Sequence, residues 1–110
     1  MLLSMVSAHA STVPSVIVGM ASWYGPQHHG KKTASGQQFN EHGLTAASPT
    51  LPFGTWVRVT FLKTGKSVNV RINDRGPQRK HRILDLSEEA ANVIGLKPYG
   101  VGRIKLEVLN

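Results

Sequence analysis

The chain has no cysteine in its 110 residues. Disulfide frameworks, thiol nucleophiles and thiolate zinc sites are therefore excluded. The redox compartment stays open, because an exported protein need not use disulfides. Aromatic residues are scarce at 6%, which leaves few ring platforms for stacking bases. No apolar run approaches the ~20 residues that a membrane-spanning helix needs. Acidic residues are also few, 6 against 13 Lys+Arg, for a net charge of +7. Such a balance suits an anionic polysaccharide, an anionic membrane surface or nucleic acid. Lys31, Lys32, Arg58, Lys63 and Lys66 are dispersed, and only Arg71, Arg75, Arg79, Lys80 and Arg82 form a denser run. A solvated basic face is the expected reading, and nucleic-acid binding is not expected.

What remains is enough for one compact domain, with 40% hydrophobic residues. The opening "MLLSMVSAHAST" is short and apolar and ends in an A-x-A pattern at Ala8-His9-Ala10, but it lacks the basic start of a complete signal sequence. Residues 1–18 are expected to be a tail, either a signal-sequence remnant or a plain flexible end. The folded domain is expected over 19–110.

Strand signals dominate that domain. "SVIVGMASWYG" is β-branched and aromatic and closes at Gly25-Pro26. "TWVRVTFL" alternates, with Val57, Val59 and Phe61 on one face. "KTGK" turns it into "SVNVRIND", where Val68, Val70 and Ile72 share a face, so the pair reads as a hairpin. "GVGRIKLEVL" alternates again. One segment breaks the period: "DLSEEAANVIGL" offers Ser87 as N-cap, Glu88 and Glu89 in the first turn and Gly95 as the stop. Short strands, one short helix and heavy Gly/Pro punctuation predict a small closed barrel, mainly β.

Between these elements lie turn-rich loops, "YGPQHHGKK", "SPTLPFG" and "NDRGPQRK", where function concentrates. Asp74 continues the phase of Val68, Val70 and Ile72, so it reads either as a turn-forming aspartate or as an acid or base at the barrel mouth. Asp85 is in phase with Ile83 at a strand end and reads as a second acid or as a helix cap. His28-His29 invite a metal reading, but neighbours in a strand point to opposite faces. They are taken as surface residues, and no metal is expected.

The motifs "ASWYG", "HGKKTASG", "LTAASPTLPFGTWVRV", "VRINDRGP", "ILDLS" and "VGRIKLEVL" together resemble the rare lipoprotein A-like family over residues 19–109. The resemblance implies a six-stranded double-psi β-barrel, as in expansins. It also implies lytic transglycosylation of peptidoglycan: cleavage inside glycan strands, peptide-free strands preferred, without water, leaving 1,6-anhydro ends. No cofactor is implied. Peptidoglycan is the partner, the periplasm or cell envelope the place, and a monomer the expected state.

The same resemblance assigns the site. Asp74 in "INDRGP" matches a family carboxylate, and Asp85 in "LDLS" matches an aspartate of expansin-like relatives. Tyr24, Thr33 and Arg75, in "ASWYG", "TASGQ" and "INDRGP", are expected to contact substrate. Two positions depart from the family pattern. Gln37 stands where "TASGE" carries a glutamate, and Ser48 stands where "TAAH" carries a histidine. A carboxamide binds a sugar hydroxyl but delivers no proton. A glutamate at 37 is expected to lie beside Asp74 and keep one proton by like-charge repulsion; Gln37 removes that coupling. Two readings follow: a transglycosylase weakened by both changes, with Gln37 and Ser48 binding substrate, or an expansin-like barrel that binds glycan without cutting it.

Overall fold

The computed structural model describes residues 15–25 and 30–110. The A-x-A segment and the His28-His29 pair lie outside the described residues. The chain forms β1 (Val16–Trp23), β2 (Thr45–Ser48), β3 (Trp56–Phe61), β4 (Ser67–Arg75), β5 (Arg82–Leu86), α1 (Glu88–Val93), a 3₁₀ turn (Lys97–Tyr99) and β6 (Val101–Val108). The six strands close in the order β1-β5-β2-β4-β3-β6, so no strand edge is left open. β1–β5 and β2–β4 are parallel pairs, and the other neighbours are antiparallel. β1 opens at Val16, ahead of the boundary read at 18/19, because Val16, Ile17 and Val18 pair with Glu107, Leu106 and Lys105.

Alternation explains the antiparallel wall. Val57, Val59 and Phe61 on β3, Val68, Val70 and Ile72 on β4, and Ile104 and Leu106 on β6 all face the core. At Gly102 a Cβ would stand 2.4 Å from Phe61 Cε1 and 2.7 Å from Leu96 Cδ1, so only glycine lets β6 pass there. The helix follows its sequence signals. Ser87 Oγ accepts from Ala90 N at 3.3 Å and donates to the Gly43 carbonyl, and Ala90 and Ala91 are fully buried against the sheet. At the other end Gly95, with φ +79°, lets Gly95 N and Leu96 N reach the Asn92 and Ala91 carbonyls.

The parallel pairs break the rule. On β4, Ala46 stands opposite Ile72 but Ala47 opposite Asp74, so Asn73 is an extra residue. On β5, Met20 stands opposite Arg82 but Ala21 opposite Leu84, so Ile83 is extra. A bulge re-aims every side chain beyond it. Asp74 therefore leaves the inward phase of Val68, Val70 and Ile72 and joins the outer face, contrary to the parity read from sequence. β2 has no strand signal in the sequence, yet "TAAS" pairs on both sides.

Candidate active site

The two bulges assemble one row of residues across the parallel side of the barrel. Ser22 on β1 lies opposite Asp85 on β5, Asp85 opposite Ala47 on β2, and Ala47 opposite Asp74 on β4. The two aspartates flank one small residue, two strand spacings apart, which is about 10 Å between backbones. Ser22 Oγ donates to Asp85 Oδ1 at 3.0 Å. Asp85 is thus a member of this row rather than a helix cap; Ser87 caps the helix instead.

Asp74 organises the loops around it. Its Oδ1 accepts from Ala34 N and from its neighbour Arg75 N, each at 2.8 Å, and its Oδ2 accepts from the Tyr24 hydroxyl at 2.5 Å. Asp74 bonds local backbone, as a turn-forming aspartate does, and its register also places it in the row. Tyr24 is half-buried, and its ring packs on Phe39 with centroids 4.6 Å apart. Burial, first, and then the hydrogen bond to Asp74 and the negative charges of Asp74 and Asp85 push the Tyr24 hydroxyl well above the usual tyrosine range. It therefore holds its proton and stands as a neutral donor to Asp74.

The "TASGQ" loop is a closed turn. Thr33 N and Thr33 Oγ1 both donate to the Gln37 carbonyl, at 2.7 and 2.8 Å. Lys32 bridges Gln38, and Phe39 N reaches the Lys31 carbonyl, which ties residues 30–39 into a small antiparallel ear anchored by Phe39. Thr33 is spent on this turn, so the structure gives it a scaffold position. Gln37 is exposed, and its Oε1 accepts from Arg71 Nη2 at 2.8 Å. A carboxyl at 37 would meet a guanidinium first, which favours its charged form. The expected like-charge coupling to Asp74 is not what this arrangement produces.

Ser48 and Arg75 also turn to the scaffold. Ser48 is 2% exposed, and its Oγ accepts from Thr50 N and Leu51 N at 3.2 and 2.9 Å. Arg75 Nη1 donates to the Ser48 and Leu51 carbonyls, and its guanidinium lies 4.3 Å from the Phe53 ring centroid. Both hold the 48–53 loop against β4. Of the seven residues singled out by sequence, the structure brings Tyr24, Asp74 and Asp85 into one row and places Gln37 at its border. Ser22, Ala34, Phe39 and Arg71 were missed. Ser22 and Arg71 are ordinary outward strand residues in sequence, and the Ala34 contribution is a backbone N–H that no side-chain pattern announces. Among the described residues no cluster of three or more His, Cys, Asp or Glu is placed to hold a metal.

The profile of the lytic transglycolase family matches residues 16–106. The probable endolytic peptidoglycan transglycosylase RlpA of Synechocystis sp. is 53% identical over 100 residues, covering 91% of this chain and 31% of that protein. The endolytic peptidoglycan transglycosylase RlpA of Campylobacter jejuni is 50% identical over 91 residues, covering 83% of this chain and 33% of that protein. The chain thus spans about a third of the length of these relatives. Among solved structures, a Streptomyces papain inhibitor aligns with TM-score 0.70 at 19% identity, over 90% of this chain and 98% of that one. A Clavibacter michiganensis expansin mutant in complex with cellohexaose aligns with TM-score 0.68 at 20% identity, over 86% of this chain and 50% of that one. These two likenesses speak to the fold alone, and they agree with the double-psi barrel. With its profile matched from the first strand into the last and relatives at half identity, the chain belongs to the lytic transglycolase family.

Proposed function

We propose that this domain binds peptidoglycan glycan strands across the Ser22–Asp85–Ala47–Asp74 row and cleaves them without water. The observation that carries the reading is the pair of aspartates, held on either side of Ala47, one of them accepting from a neutral Tyr24. Asp74 accepts three hydrogen bonds and is suited to stabilise positive charge at the reacting sugar. Asp85 is the proton donor. Its carboxyl proton passes to the glycosidic oxygen, the C1–O bond breaks with its electron pair leaving on that oxygen, and C1 gains oxocarbenium character. The C6 hydroxyl of the same muramic acid then closes on C1, and its proton returns to Asp85. The product is a 1,6-anhydro end.

A second reading has its own observation. Gln37 is an amide fastened to Arg71, and Ser48 is buried as a turn cap, so neither position supplies a proton. A barrel that holds glycan without cutting it fits those two residues. Slow cleavage is accordingly expected. The cell envelope is the place of action on either reading, and a single chain is sufficient for the site. The test is incubation with purified sacculi and with peptide-free glycan strands, followed by mass spectrometry. Fragments with 1,6-anhydro ends support cleavage; strands that co-sediment with the protein but stay intact support the binding reading.

A further inference from the structure

The register step that turns Asp85 outward has a seat in the strand beside it. On β5, Arg82 stands opposite Met20 and Leu84 opposite Ala21, and Ile83 is the extra residue between them. Ile83 packs against the core, and so does Leu84, which is fully buried. Two consecutive residues thus face inward, which strict alternation forbids. The room for the first of them comes from β1. Gly19 stands opposite the fully buried Ile104 on β6, so the side chain it lacks is lacking on the core face. A Cβ at Gly19 would lie 2.9 Å from Ile83 Cγ2, 3.0 Å from its Cδ1 and 3.1 Å from its Cγ1. The three nearest atoms all belong to that one side chain. Gly19 is not among the glycines with positive φ, so space alone asks for glycine there. Ile83 does not swing aside freely either, because a branched Cβ restricts its χ1.

We infer that Gly19 and Ile83 are positioning residues for Asp85. The notch at Gly19 takes the Ile83 side chain, fixes the extra residue at 83, and so sets Asp85 outward in line with Ser22. Without that extra residue, pairing continued from Met20 and Arg82 would bring Ile83 opposite Ala21, Leu84 opposite Ser22 and Asp85 opposite Trp23. Trp23 packs against the core, so Asp85 would turn inward and lose the Ser22 hydroxyl that donates to it at 3.0 Å. The role of Asp85 as proton donor belongs to the cleavage reading above, on which this inference rests. Neither Gly19 nor Ile83 touches substrate. With a methyl group at position 19, Ile83 loses its seat, and the Asp85 carboxyl shifts against Ser22.

The test compares Gly19→Ala, Ile83→Ala and the double variant with the natural protein on peptide-free glycan strands. Gly19→Ala should lower kcat about a hundredfold, the scale of a displacement of about 1 Å at a reacting group, with strand affinity unchanged. Ile83→Ala, which empties the notch, should lower kcat less. The double variant should recover to the level of Ile83→Ala, because the added methyl no longer meets a branched side chain. The two losses are then not additive. Rates are taken per folded molecule, with melting curves to give that fraction. If Gly19→Ala does not fold by itself, recovery of folding in the double variant is the same rescue, and its absence would overturn the inference. NMR shifts of Ser22 and Asp85, with the cross-strand NOE between them, read the register without any cleavage. They should be disturbed in Gly19→Ala and restored in the double variant. A natural rate in Gly19→Ala, losses that simply add, or undisturbed Ser22 and Asp85 signals would each overturn the positioning role. If the natural protein cleaves nothing, the proton-donor reading fails, and the NMR comparison alone decides whether Gly19 sets the register.

Discussion

The antiparallel wall, β3 with its neighbours β4 and β6, and the parallel side, β1–β5–β2–β4, are built from the same kind of strand and do different work. In the wall the register runs unbroken from Val57 to Phe61 against Ile104 to Val108, and Val57, Val59, Phe61, Ile104 and Leu106 are buried. On the parallel side each pair carries one extra residue, Ile83 or Asn73, and each extra residue is followed within two positions by an aspartate. The wall holds the barrel together. The bulges turn two carboxylates outward at one place, which strict alternation would have kept on faces set by parity alone.

If that division holds, a wall residue should move stability and not recognition. Ile104→Ala removes a fully buried side chain and should cost about 2–5 kcal/mol, while the folded fraction keeps its glycan affinity. Denaturant titration with parallel binding measurements checks both halves. Asp74→Asn should do both kinds of damage, because Asp74 accepts from Ala34, Arg75 and Tyr24 as well as facing the row. A loss of about 1–3 kcal/mol is expected together with loss of cleavage, read by melting and by product analysis. Stability loss with cleavage unchanged would return Asp74 to a turn residue.

Tyr24→Phe sharpens the same contrast at smaller cost, about 1 kcal/mol for one hydrogen bond. It also has a pH signature. The Tyr24 hydroxyl is shifted upward in the folded state, so its contribution is present below the ordinary tyrosine range near pH ~10 and is lost as pH rises beyond it. The natural protein should therefore lose stability above that pH faster than Tyr24→Phe does, in melts run side by side. Glu88 gives the smallest effect, away from both regions. The hydrogen bond from Lys97, at 2.6 Å, lowers its carboxyl below the usual range, so its contribution is present at neutral pH and fades as pH falls through that lowered value. Glu88→Gln should differ slightly from the natural protein at neutral pH, and the difference should close in acid.

The wall was legible because period-2 patterning reports a strand buried on one face. The helix was legible for a similar reason, since Ser87, Glu88, Glu89 and Gly95 each mark a terminus. β2 was not, because Ala46 and Ala47 carry neither the β-branched signal nor an alternation long enough to see. The site was legible only as residues that match a family. The bulges at Asn73 and Ile83 have no sequence mark, so the parity of Asp74 came out reversed. Ser48, Thr33 and Arg75 looked like substrate contacts because they belong to matching motifs; the structure spends all three on loop backbone. Gln37 was read against Asp74, and Arg71 proves to be its partner.

The most direct measurement is product analysis of peptide-free glycan strands incubated with the natural protein and with Asp85→Asn. The account predicts slow release of 1,6-anhydro-ended fragments by the natural protein, and none by Asp85→Asn even though that variant still binds the strands. Cleavage by Asp85→Asn at the natural rate, or fragments with ordinary reducing ends that record attack by water, would contradict it.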